Sequence, residues 1–233
     1  MERTAVLIPT LEEAQGIGPT IQEILREMRH AEIVVVDSNS KDRTPQIAAS
    51  LGVEVVSQQR RGKGLAVAEG LRHVKNDIAW VTIVDGDYTY PAVYISKMIK
   101  ILRERPSVGM IGGMPYRAYM ERYTFWKRVR WVHLSPYVIF HRILVTLHRI
   151  LNGVSMQAPL TGQRVIRNHC IRDFQPKSKG FDIEVEINSY IRKKGYKILE
   201  IPVECRYRLG SAKFHRVKHL LVILRRMIIE CIS

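Results

Sequence analysis

Residues 80–91 read WVTIVDGDYTYP, an apolar run of strand character that stops at two aspartates separated by one glycine. Similar runs recur at TAVLI (4–8), EIVVVD (32–37), VEVVS (53–57) and VGMIGG (108–113), with helix-type stretches at 19–28, 44–51, 63–74 and 91–105 between them. Strands alternating with helices predict an α/β fold with a mostly parallel sheet. Ligands of such sheets bind beyond the carboxyl ends of the strands. Three polar loops stand there: PTLEE (9–13), DSNS (37–40) and DGD (85–87). Any one of them reads as a capping turn, as Asp37 to Asp42 would be for a helix starting near Thr44. Three at matching strand ends predict a site.

The D-x-D pair is informative because two neighbouring carboxylates repel and call for a cation. Hard oxygen donors at a strand end suit Mg²⁺ or Mn²⁺ better than Zn²⁺, with phosphate oxygens free to fill the remaining positions. The three cysteines, Cys170, Cys205 and Cys231, have neither disulfide-framework nor zinc spacing, which favours a reducing compartment.

The chain carries a net charge of +15, unevenly placed. Residues 1–100 hold 12 Lys+Arg and 13 Asp+Glu, whereas the rest of the chain holds 25 and 9. A basic half of this kind meets something anionic: nucleic acid, phospholipid headgroups or a phosphorylated substrate. Residues 114–153 contain seven Lys or Arg, one Glu and many aromatics, and read as an insert of two helices, 118–133 and 137–151, broken at Ser135-Pro136. Residues 214–233 read as a further basic, apolar helix. Such helices can lie in a membrane interface or pack on the domain or on a second subunit. Every apolar stretch is interrupted well short of the roughly 20 residues of a membrane span. With no signal peptide discerned, the expectation is one domain over 1–233, cytoplasmic and peripheral on the inner face of a membrane.

The segments IPTLEEA (8–14), VVVDSNSKDRT (34–44), RRGKGLAVAEG (60–70), VDGDYTYP (84–91), LTGQRVI (160–166), GFDIEVEINSYIRKKGYKILEIPV (180–203) and RYRLGSAK (206–213) follow one another along the chain. Together they resemble the inverting family 2 glycosyltransferases of GT-A fold, near the dolichyl-phosphate mannose and glucose synthases. The resemblance implies that Pro9, Glu12, Asp37, Lys63, Asp85, Gly86 and Asp87 bind a nucleotide sugar, with Asp37 accepting from the base. It implies a metal on Asp85 and Asp87, with Thr89 standing where relatives often have a glutamine ligand. Arg208 and Lys213 join the two aspartates as catalytic candidates. Arg206, Arg117, His141 and Arg142 are the candidates for an acceptor phosphate. Lys63, Arg60 and Arg61 could equally be a solvated basic turn, and the full phosphate-loop pattern is missing. Glu184 and Glu186, two apart on a predicted helix, do not share a face. The simplest expectation for that segment is capping by Asp182 and one exposed glutamate.

The implied reaction is metal-dependent transfer of a hexose, with inversion, from GDP-mannose, UDP-glucose or another UDP-sugar to dolichyl or polyprenyl phosphate at an anionic membrane. A soluble phosphorylated hydroxyl acceptor is the enzymatic alternative. A non-catalytic basic nucleic-acid-binding protein is the other class, but no nucleic-acid motif supports that partner. A homo-oligomer or a membrane-protein partner is compatible with the basic helices.

Overall fold

The architecture was obtained as a computed structural model, which describes residues 2–115, 136–213 and 216–232. The expected helix at 118–133, and Arg117, lie outside the described residues. Strand β1 (Arg3–Thr10) is followed by α1 (Ile17–Glu27), β2 (Glu32–Asp37), α2 (Thr44–Ser50), β3 (Glu54–Ser57), α3 (Lys63–Arg72), β4 (Ile78–Val84) and α4 (Val93–Glu104). Then come β5 (Val108–Pro115), α5 (Pro136–Asn152), β6 (Gln163–Arg167), α6 (Asn168–Ile171), α7 (Ile183–Lys193), β7 (Lys197–Val203) and α8 (Arg216–Ile232). The sheet order is β3-β2-β1-β4-β6-β5-β7, parallel except where β6 pairs with β4 and β5.

Burial of both faces explains the continuous apolar runs. Ala5 and Leu7 of β1 meet Ala66 and Val67 of α3 on one side, while Val6 and Ile8 meet Ile17, Ile21 and Ile24 of α1 on the other. Each of those α1 isoleucines is almost fully buried, which contributes roughly 1.5–3 kcal/mol per side chain. Register then sets the working edge. Thr10 pairs with Asp37, and Asp37 with Ser57, so β1, β2 and β3 end level. Antiparallel β6 begins at that same edge, because Gln163 pairs with Val84, the last residue of β4.

Helix α5 packs onto α7 and α8 through Leu144, Val185, Ile223 and Met227. On its buried side it carries His148, whose Nδ1 meets Asn152 Oδ1 at 2.8 Å and whose Nε2 faces the Asn188 amide at 3.4 Å. A neutral ring donating at Nδ1 and accepting at Nε2 satisfies both contacts. Burial outweighs the Asn152 hydrogen bond and, reinforced by the Arg164 charge, pushes His148 down to about 4. An unfolded histidine titrates near ~6.5, so as pH falls from there the unfolded chain takes up a proton that the folded chain refuses. Stability from this group is therefore present above ~6.5 and falls by about 3 kcal/mol by the time pH passes the folded value. Urea melts of wild type and His148→Gln between pH 7 and 4.5 check this: the substitution should flatten the pH slope, and an unchanged slope would sink the assignment.

Candidate active site

At the carboxyl edge of the sheet a cleft of ≈ 940 Å³ opens between the three polar loops and the wall formed by residues 177–182 and α8. Each loop has one non-glycine residue in the left-handed region within it or directly after it: Glu12 at φ 54°, Asn39 at φ 59° and Tyr88 at φ 64°. Such backbone costs on the order of 1–3 kcal/mol per residue and is kept where the surroundings over-determine it. The second loop illustrates how. Asp37, 3% exposed, accepts from Thr10 Oγ1 at 3.1 Å, from Ser40 N–H at 2.9 Å and from Ser40 Oγ at 2.6 Å. It ties the ends of β1 and β2 together one layer below the cleft, which Ser38 lines.

The two aspartates of the D-x-D pair face different cations. Asp85 Oδ1 is 2.7 Å from Lys63 Nζ, which also lies 2.7 Å from Glu184 Oε1. Burial alone would push the Lys63 ammonium down, but the facing Asp85 and Glu184 carboxylates outweigh it and hold it above its ordinary value. The start of β6 seats this cluster. Asp85 N–H donates to the Gly162 carbonyl at 2.9 Å, and Gly162 N–H donates to Tyr90 Oη at 3.0 Å. A Cβ at Gly162 would stand 1.9 Å from Asp85 Oδ2, so no larger residue fits without moving the carboxylate.

Asp87 is held differently. Its Oδ1 accepts from Thr89 N–H at 3.0 Å, and its Oδ2 lies 3.4 Å from Arg208 Nη1. Segment 206–213 is pinned above it, with Leu209 N–H on the Asp87 carbonyl at 3.0 Å and Arg206 N–H on the Thr89 carbonyl at 2.9 Å. Glu13 completes the clasp: its Oε1 takes Arg208 Nη2 at 2.6 Å and Lys213 Nζ at 2.9 Å. Burial pushes the Glu13 carboxyl up, against the pull of Lys213 and Arg208. Glu13 Oε2 and Arg208 Nε are buried beside the cleft without a hydrogen-bond partner among the described residues.

The acidic start of α7 organises the opposite wall. Asp182 pairs with Arg226 of α8 at 3.1 Å, Glu184 with Lys63, and Glu186 accepts the N–H groups of Lys177 and Ser178 at 2.7 Å each. All three carboxylates are buried. This corrects the expectation of one exposed glutamate and of a capping Asp182, whose side chain makes no cap bond to the helix. The two glutamates do point to different neighbours, but α7 is enclosed on both sides.

Of the residues singled out in the sequence, Pro9, Lys63, Asp85, Gly86, Asp87, Arg208 and Lys213 line the cleft. Other candidates lie elsewhere. Glu12 does not line it; Glu13 takes that place, while the left-handed residue Glu12 turns its carboxylate to Arg61, a residue of the cleft lining 3.4 Å away. Thr89 touches Asp87 through its backbone N–H and does not line the cleft. Arg206 forms a two-pronged pair with Glu23 at 2.7 and 2.9 Å and stacks on Tyr88, 4.2 Å from the ring centre. Its guanidinium is spent on holding the chain, not on the cleft. His141 hydrogen-bonds the Gln157 backbone, Arg142 is exposed, and neither lines the cleft.

A mostly parallel sheet whose working edge joins a D-x-D pair to a cationic wall is the arrangement of a GT-A glycosyltransferase fold. The chain belongs to glycosyl transferase family 2, whose profile matches residues 5–158. It is 30% identical over 211 residues to a dolichyl-phosphate hexose transferase of Haloferax volcanii, covering 90% of this chain and 85% of that protein. It is 29% identical to glycosyltransferase AglJ of the same organism and 24% identical to a dolichol-phosphate mannosyltransferase of Pyrococcus furiosus. Each of these matches takes in 86% of this chain, but only 62% and 55% of the respective relatives. Among solved structures, glucosyl-3-phosphoglycerate synthase of Mycobacterium tuberculosis, crystallised with Mn²⁺, UDP-glucose and phosphoglyceric acid, superposes with a TM-score of 0.73 over 99% of this chain and 80% of its own, at 18% identity. No described helix is long and apolar enough to cross a membrane.

Proposed function

We propose that this enzyme transfers a hexose from a nucleotide sugar to a polyprenyl phosphate, with inversion and with a divalent metal ion, at a membrane surface. The observation that carries the proposal is the division of one cleft into an acidic floor, Glu13, Asp85 and Asp87, and a cationic wall of lysines and arginines. The names of two relatives, the dolichyl-phosphate hexose transferase and the dolichol-phosphate mannosyltransferase, point to the same acceptor class.

The donor set fits Mg²⁺ or Mn²⁺. Asp85 and Asp87 offer hard oxygens at the cleft surface, and an ion there would share them with Lys63 and Arg208, the protein cations they already face. No group of three or more His, Cys, Asp or Glu suited to a metal occurs among the described residues, so an ion held by these aspartates would take further ligands from the donor diphosphate. When bound, it would supply electrostatic stabilisation to the departing nucleoside diphosphate.

Arg208 and Lys213 serve the same leaving group. Glu13 fixes them beside Asp87, so their charge is in position before reaction and needs no reorganisation. The acceptor phosphate is anionic near neutral pH, so an oxygen of it attacks the anomeric carbon as the bond to the diphosphate breaks. It needs placement and charge neutralisation more than a general base. The test incubates purified enzyme, Mn²⁺ and short polyprenyl phosphates with a panel of UDP- and GDP-sugars, and detects glycolipid by mass. One donor should give a product of hexosyl phosphate lipid mass. Turnover only with soluble phosphorylated acids would overturn the acceptor class.

A further inference from the structure

The cleft has a second wall that the donor half does not account for. Residues 177–180 press on the first turn of α3 so closely that a Cβ at Gly62 would stand 2.1 Å from the Lys179 carbonyl, and one at Gly64 2.2 Å from that of Ser178. From there the wall runs outward. Lys63 Nζ lies 5.7 Å from the Phe181 ring, and that ring packs against His219 of α8 at 4.7 Å between centres.

Helix α8 has two unlike faces. Ile223, Arg226, Met227 and Glu230 are turned inward, with Arg226 fixed by Asp182 at 3.1 Å and by Glu230 at 3.6 Å. The outer face, by the spacing of a helix, joins Leu221, Val222, Arg225, Ile228 and Ile232. Leu221 is 65%, Ile228 56% and Ile232 79% exposed. Val222, Arg225 and Ile229 of this helix line the cleft, together with Lys177 and Lys179 of the facing loop. Those two lysines and Arg225 are exposed and make no ion pair among the described residues, whereas Arg208, Lys213 and Arg226 are all paired.

We infer that Lys177, Lys179 and Arg225 form the acceptor-phosphate subsite and that the apolar stripe of α8 receives the adjoining lipid chain. The inference rests on the polyprenyl-phosphate function proposed above and names the residues that execute it. Three cations in one cleft without an ion pair among the described residues match a phosphate carrying up to two charges, and Arg and Lys offer respectively forked and point-charge contacts to its oxygens. A phosphate alone would not call for Val222 and Ile229 beside them, nor for an apolar stripe leading out of the cleft. An amphiphile with an anionic head and a long apolar tail satisfies both features. The anchoring of the wall supports the assignment: Glu186 fixes the backbone at Lys177, and Asp182 fixes α8 through Arg226.

The test measures transfer to geranylgeranyl phosphate and to dimethylallyl phosphate by the full chain, wild type and Lys177→Ala/Lys179→Ala/Arg225→Ala, with glycerol 3-phosphate as a soluble competitor. Because the three side chains are exposed, each is also removed singly, and nucleotide-sugar KM reports that the donor site is folded. Wild type should prefer the longer lipid, with glycerol 3-phosphate a weak inhibitor. The triple substitution should raise KM for geranylgeranyl phosphate at least about tenfold with the donor KM unchanged. An unchanged lipid KM in an active triple variant overturns the subsite alone. An inhibition constant for glycerol 3-phosphate as low as the KM for geranylgeranyl phosphate overturns the role of the α8 stripe. Wild type inert toward both lipids but active on other acceptors overturns the function itself, and the subsite with it.

Discussion

Asp87→Asn is expected to lower transfer by on the order of 10²–10³-fold or more while leaving the protein folded. The isosteric amide keeps an oxygen for the Thr89 N–H at 3.0 Å and removes only the charge. Arg208 then retains Glu13 at 2.6 Å, so the clasp above the site survives. The same loss is expected for Asp87→Ala. The measurement is kcat for hexosyl transfer alongside a thermal melt and nucleotide-sugar binding with and without Mn²⁺. Retained turnover in a folded, purified variant would reject the metal role; loss of the melt together with activity would show Asp87 to be structural.

Lys63→Met should act chiefly on stability, unlike Asp87→Asn. The ammonium lies between Asp85 and Glu184 at 2.7 Å from each, with 12% of its side chain exposed against 5% for Glu184. Removing one partner from a buried ionic cluster leaves the others uncompensated, which costs roughly 3–5 kcal/mol. Adding Glu184→Gln to Lys63→Met should recover part of that loss. Urea unfolding of the single and double variants measures it, with nucleotide binding followed in parallel. If Lys63→Met melts like wild type and loses only nucleotide affinity, the side chain is a ligand contact first and the cluster is incidental. The raised ammonium pKa has a pH consequence: the stabilisation is present below the ordinary lysine range and is lost only as pH rises past the folded value, so neutral solutions do not titrate it.

The elements were legible because local physics dominates them. EIVVVD is doubly apolar, since β2 is buried on both faces, and it occupies Glu32–Asp37 as expected. The helix expected at 63–74 spans Lys63–Arg72, ending two residues early where its last turn tightens at His73 and Val74. The carboxyl-edge loops were legible for the same reason, because strand ends and strand direction fix where they meet.

Individual side chains were harder to read. Glu12 and Glu13 are adjacent acids of one type, and a single left-handed φ of 54° decides which of them enters the cleft. Arg206 and Arg208 share a motif two residues apart. One finds Glu23, 183 positions away in sequence, and the other Glu13, 195 away. The side-chain period of extended chain sends neighbours i and i+2 the same way, so nothing local separates these two fates. Glu184 and Glu186 read as a partly solvated helix face because the sequence does not announce that α3, the 177–178 loop and α8 all close on α7.

The sequence by itself determined the α/β framework, the working edge, the D-x-D floor and the family, since these follow from short-range periodicity and from motifs contiguous in the chain. Only the tertiary structure decided that the cations opposite Asp85 and Asp87 are two, Lys63 and Arg208, drawn from different elements. It alone turned α8 into a wall of the cleft and left Lys177, Lys179 and Arg225 without carboxylate partners among the described residues. Charge pairing acts through space over a few ångströms, so which cation is neutralised and which remains available depends on contacts that sequence separation conceals.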